Sequence, residues 1–202
     1  MLHGLRLCSI AMALAILQSG ANRDTHVVTA AANSQSVSSA SVFGPTDLAT
    51  EWAKLPFDSI SLERSPCNGN CPAYTVRLYR GTPVPGAAET YEDRFGRAEL
   101  SVTRLGEVDF AKLLFPPKTG EFKGRVSLWE FARLSALIGE SGFLQITQDT
   151  CITQDGQTVW VTVNGSGVEK RVRDACGIAP VQVWGIQQAI DAVAARINWT
   201  VK

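Results

Sequence analysis

Histidine is nearly missing from this 202-residue chain, which has two, His3 and His26. Both precede the part of the sequence that has folding character, so that part lacks an imidazole for general-base work or for zinc. The absence removes Ser-His-Asp and Cys-His nucleophilic systems and leaves lysine, carboxylate or thiol chemistry as the enzymatic options. An excess of either charge is missing as well, with 19 Lys and Arg against 19 Asp and Glu. Such a balance provides no overall electrostatic footprint for phosphate backbones or anionic lipid, and no nucleic-acid partner is expected. After the first apolar stretch, no second one approaches the eighteen residues of a membrane span, so the mature chain is expected to lack a transmembrane segment. Neither a metal site nor a cofactor is expected.

What is present begins with the anatomy of an export leader. Arg6 precedes an apolar run from Leu7 to Leu17, and small residues follow at Ser19-Gly20-Ala21. A helix of that apolar length spans about 16 Å, roughly half the hydrocarbon thickness, which disfavours a permanent anchor. We expect a signal peptide over 1–21 and an exported protein, periplasmic or secreted. Residues 22–47 are rich in Ala, Ser, Thr, Asn and Val with little large apolar surface and predict a flexible tether. Residues 48–202 remain for a single disulfide-stapled domain.

With Cys8 removed in the leader, Cys67, Cys71, Cys151 and Cys176 are left, an even number in a disulfide-permissive compartment. Four cysteines allow three pairings. We favour Cys67–Cys71, which closes a short turn, and Cys151–Cys176, which closes a longer loop worth about 3 kcal/mol on the chain-entropy estimate.

Ile60–Arg64 and Tyr74–Arg80 alternate apolar and polar residues on either side of the cysteine turn and predict an antiparallel hairpin. Glu89–Arg94 is read as a third strand. From Gly96 to Gly124 the pattern is weak, and Leu113-Leu114-Phe115 before Pro116-Pro117 suggests an irregular or short helical connection. Ser127-Leu128-Trp129-Glu130 has the form of a capping box, and Leu128, Phe131, Leu134, Leu137 and Ile138 continue it as a helical stripe. Thr158–Val163 and Val168–Arg173 flank Asn164-Gly165-Ser166-Gly167 as a second hairpin. Pro180 then opens a last helix, with Val183, Ile186, Ile190, Val193 and Ile197 on one side, down to Trp199. The fold class is α+β: a mainly antiparallel sheet, two hairpins plus a third strand, with two helices packed on one face.

The most distinctive local feature is Cys67-Asn68-Gly69-Asn70-Cys71-Pro72. Redox dithiols of the thioredoxin kind are separated by two residues and open a helix, whereas here three residues intervene and Pro72 leads into a strand. A stapled turn is therefore the first reading and a thiol-disulfide or redox-sensing role for Cys67 and Cys71 the alternative. Hydrolysis by carboxylates rests only on Glu63, Glu89 and Glu92 being available. Among the five tryptophans, Trp129 and Trp184 fall beside their helices' apolar stripes, making them candidate exposed anchors for a partner.

The run from Ile60 to Val76, with its Cys-x-Gly-x-Cys-Pro-x-Tyr pattern at Cys67, Gly69, Cys71, Pro72 and Tyr74, resembles the opening signature of a family of bacterial exported domains of unknown function. Phe131–Phe143 and Asp174–Pro180 with the final helix resemble that family's later segments. The resemblance implies a bacterial envelope or secreted domain and brings no catalytic residue with it. The function expected is a non-enzymatic binding or structural module of the cell envelope or secreted milieu, whose partner is an envelope or extracellular protein.

Overall fold

The computed structural model describes residues 48–85, 87–106, 118–147, 156–175 and 177–202. The expected leader and tether, Leu113–Phe115, Cys151 and Cys176 lie outside the described residues.

Alternating burial makes the sheet. In β1 (Ser59–Arg64) and β2 (Ala73–Tyr79), Ile60, Leu62, Val76 and Leu78 are fully buried while Arg77 between them is exposed. The strands pair antiparallel, Ile60 opposite Leu78 and Leu62 opposite Val76. This is the predicted first hairpin. The predicted third strand is displaced: Glu89–Arg94 is not a strand, and Tyr91–Arg94 forms a 3-10 turn instead. Thr90 explains the difference, because its backbone N–H and its hydroxyl both donate to Asp93 Oδ2, at 2.7 and 2.8 Å, closing a capping box that curls the chain. Strand β3 then runs from Phe95 to Arg104 and β4 from Gly120 to Ser127, in the region read as irregular.

The helix α1 (Leu48–Ala53) precedes β1, and no sequence pattern marked it. The capping box at Ser127 forms as expected. Ser127 Oγ accepts from the Glu130 amide at 3.3 Å, and α2 runs from Leu128 to Glu140 before Gly142 takes a left-handed φ of 75°. Leu137, predicted on the buried stripe, is exposed, and Ser135 is buried in its place. β5 (Thr158–Gly165) and β6 (Val168–Ala175) form the predicted second hairpin, reversing through Ser166 and Gly167 at φ 49° and 78°, the left-handed pair that a two-residue reversal uses. The last helix, α3, spans Val181–Ala194. It stops short of Trp199, and a two-residue strand β7 (Thr200–Val201) follows.

The seven strands among the described residues form one antiparallel sheet in the order β6-β5-β1-β2-β3-β4-β7. The class is α+β, with a larger sheet than two hairpins and a third strand. Phe131, Leu134 and Ile138 of α2 and Val183, Ile186, Ile190 and Val193 of α3 join the buried strand residues in a single hydrophobic cluster. No helix among the described residues is long and apolar enough to cross a membrane.

Candidate functional site

Strand geometry sends the residues between the buried ones to the other face of the sheet. That face carries Arg77 on β2, Arg97 and Glu99 on β3, Lys123 and Arg125 on β4, and Trp160 and Arg171 on the β5 and β6 side. Its side chains are half-buried or exposed. Three arginines lie over aromatic rings: Arg97 over Tyr79 at 4.1 Å, Arg125 over Phe95 at 4.7 Å and Arg171 over Trp160 at 5.2 Å. Stacking restrains a guanidinium and leaves its in-plane N–H donors directed outward.

At the β3, β4 and β7 end, this face opens into a cavity of about 740 Å³. Arg97, Lys123, Arg125, Arg196 and Lys202 line it, against Glu99 and Glu130, with Tyr91 and Phe95 as an aromatic wall. The two rings of that wall meet edge to face at 5.2 Å. Both carboxylates already have partners. Lys202 Nζ lies 3.1 Å from Glu99 Oε1, and Arg196 Nε lies 2.9 Å from Glu130 Oε1. Partial burial works against the charge of Glu99, but the Lys202 hydrogen bond and charge, the Tyr79 hydroxyl and Arg97 outweigh it and hold the group below the usual carboxylate range. Glu130 is lowered in the same way, with burial opposing and the hydrogen bonds from Arg196 and Ser127 prevailing. Arg125 pairs with Glu92 of the 3-10 turn. Arg97 and Lys123 have no salt bridge to a described carboxylate.

The cysteine signature lies elsewhere. Cys67 and Cys71 are disulfide-bonded, with Cα atoms 5.7 Å apart. Their loop is tied to the domain on both flanks: Gln157 Nε2 donates to Ser65 O at 3.0 Å and Pro72 O at 2.6 Å, and Arg104 Nη1 donates to Cys67 O at 3.1 Å. Gly106, at a φ of 69°, packs so closely on Asn70 O and Pro72 that a Cβ would overlap them. These ties account for the loop as a stapled turn.

Immediately beyond it, Tyr74 of the signature and Arg64 meet Asp191 of α3. Tyr74 OH donates to Asp191 Oδ1 at 2.7 Å, Arg64 Nη2 donates to Asp191 Oδ2 at 2.7 Å, and Arg64 Nε donates to Tyr74 OH at 2.8 Å. Burial works against the Arg64 charge, and the Asp191 carboxylate overcomes it, leaving the guanidinium above its ordinary value. For Tyr74, burial first and the negative Asp191 second push the phenol well above its ordinary range, with Arg64 opposing in part. The triad fastens a helix to two strands. It leaves Tyr74 protonated and Arg64 charged at neutral pH, and neither can serve as a base there.

Of the other sequence candidates, Trp129 and Trp184 are exposed, at 78% and 57%. They do not form one site. Trp129 stands in the first turn of α2 beside Glu130, which pairs with Arg196 beyond the C-terminal end of α3, whereas Trp184 stands in the first turn of α3. The three carboxylates are also engaged separately: Glu63 with Arg171, Glu92 with Arg125, and Glu89 with the Leu48 amide. Sequence reasoning missed the cationic end of the sheet, whose signal was charge at every second position of Arg97–Glu99 and Lys123–Arg125. Comparisons with protein-family models, with curated proteins and with solved structures find no match to this chain.

Proposed function

We propose that this chain is an exported, non-enzymatic binding module of the cell envelope or secreted milieu that engages an acidic envelope or extracellular protein. In this reading the two longer helices are laid on one face of the sheet, and the opposite face is the binding surface. The observation that carries it is the concentration of arginine and lysine on that face, stacked on aromatic rings around a cavity, in a chain whose total charge is zero. The resemblance of the Cys67–Tyr74 segment to bacterial exported domains supports the location, and the leader-like residues 1–21 support export. For the alternative, a thiol-disulfide role of Cys67 and Cys71, no feature of the anchored loop speaks in favour.

A short poly-glutamate peptide serves as the probe of an acidic partner. Wild-type protein is expected to bind it at low ionic strength and to weaken as salt approaches about 0.15 M, where the screening length falls to about 8 Å. The double substitution Arg77→Glu with Arg97→Glu reduces affinity by tenfold or more, whereas Arg133→Glu, on the exposed side of α2, leaves it unchanged. Equal binding by the two variants would remove the sheet face from consideration.

A further inference from the structure

Arg97 and Arg125 occupy directly opposite positions across β3 and β4. Like charges in that relation destabilise a sheet, because the Cβ atoms are only about 5 Å apart. Lys123 stands two residues from Arg125 on the same face, opposite Glu99, and adds a third cation on the diagonal from Arg97. Only Arg125 of the three has a salt bridge to a carboxylate among the described residues, and that partner, Glu92, approaches from the exposed 3-10 turn. Lys202 and Tyr79 occupy both oxygens of Glu99, the acidic group nearest by register. Two guanidiniums restrained on rings and one flexible ammonium thus crowd one rim of a cavity with more positive than negative side chains around it.

A lone carboxylate is satisfied by one arginine fork, whereas three cations lining one cavity match a tetrahedral dianion that offers several acceptor oxygens. We propose that Arg97, Arg125 and Lys123 form a phosphate-binding site in which the dianion sits between the two guanidiniums and relieves their repulsion. Tyr91 and Phe95 line the same cavity, so a flat group esterified to that phosphate has a ring wall to lie against. The inference rests on reading this sheet face as the binding surface and names the chemistry it takes.

Titrations of the isotopically labelled full-length protein, followed through backbone amide shifts at low salt, test the site with inorganic phosphate and phenyl phosphate. Saturable shifts are expected at Arg97, Lys123 and Arg125 with both probes. Arg97→Gln and Arg125→Gln should each weaken inorganic phosphate at least tenfold. Both side chains are exposed, so the variants are expected to fold, and retention of the remaining amide spectrum verifies it. Phenyl phosphate binding severalfold tighter than phosphate, with the preference lost in Tyr91→Ala, assigns the site to a phosphomonoester; equal affinities assign it to the free anion. Absence of saturable shifts with both probes, or affinities untouched by both arginine substitutions, overturns the proposal. If phosphate fails while poly-glutamate still binds, the clamp falls and the binding-module reading stands. Phosphate binding without poly-glutamate binding keeps the clamp and removes the acidic protein partner.

Discussion

Replacing Asp191 by alanine is expected to cost about 3–5 kcal/mol of folding free energy, measured by urea denaturation, and to lower the thermal midpoint by roughly 10 °C. The carboxylate is the only acidic member of the Arg64, Tyr74 and Asp191 cluster, and it receives a 2.7 Å hydrogen bond on each oxygen. Side-chain exposure is 13% for Arg64 and 7% for Asp191, so removal of the anion strands a guanidinium where water reaches it poorly. Joint replacement separates the value of the ions from the penalty of orphaning one. Arg64→Met, Tyr74→Phe and Asp191→Leu in combination should recover most of the loss, since apolar residues of similar volume replace buried ion pairs at little net cost. A loss below about 1 kcal/mol for Asp191→Ala would show that α3 is held to the sheet by its apolar residues alone.

The same cluster sets an alkaline limit. Tyr74 has its pKa raised in the folded state, so the stability it contributes is complete below the ordinary tyrosine value near 10 and declines as pH climbs above it, when the unfolded chain ionises and the folded chain does not. Stability should therefore fall above pH 10 more steeply in the wild type than in Tyr74→Phe, by up to about 1.4 kcal/mol per pH unit. Chemical denaturation of both proteins at several pH values between about 9 and 11.5 measures the difference. Parallel curves would mean that the phenol reaches solvent before the domain opens.

Local signals were legible in the sequence and long-range ones were not. The Ser127 cap, the Ser166-Gly167 reversal and the starts of the two long helices depend on residues a few positions apart, and each lies where its pattern put it, although the last helix ends at Ala194 and not at Trp199. Strands β3 and β4 were hidden by small residues at inward positions. Gly96 and Ala98 carry little hydrophobic signal, yet a Cβ at Gly96 would collide with Tyr79 O, and one at Gly124 would collide with Ile197. Glycine is thus required by close packing at places where it reads as a strand breaker. The Arg97 and Arg125 juxtaposition depends on the register of β3 against β4, and a net charge of zero conceals it. Tyr74 stood inside the cysteine signature, but its partner Asp191 lies 117 residues away on another element.

Substitution of Trp52 should couple stability to the binding face. Trp52 is 1% exposed, meets Phe131 of α2 edge to face at 5.8 Å, and presses so closely on Gly81 that a Cβ there would overlap the indole. Trp52→Ala is expected to cost about 3–5 kcal/mol through lost burial and an unfilled cavity. The indole also donates from Nε1 to Asp93 O at 2.8 Å, and Arg80 Nη1 reaches the carbonyls of Trp52 and Leu55 at 3.4 Å. The first bond anchors the 3-10 turn that carries Tyr91 and Glu92 and leads into Phe95, so α1 positions both the ring wall of the cavity and the partner of Arg125. Trp52→Phe keeps most of the packing, loses the hydrogen bond, and should cost only about 1–2 kcal/mol. In that variant phenyl phosphate is expected to weaken more than inorganic phosphate, because the wall loosens while Arg97 and Lys123 on the strands stay in place. Equal weakening of the two ligands would assign Trp52 to the core alone and detach α1 from the chemistry of the face.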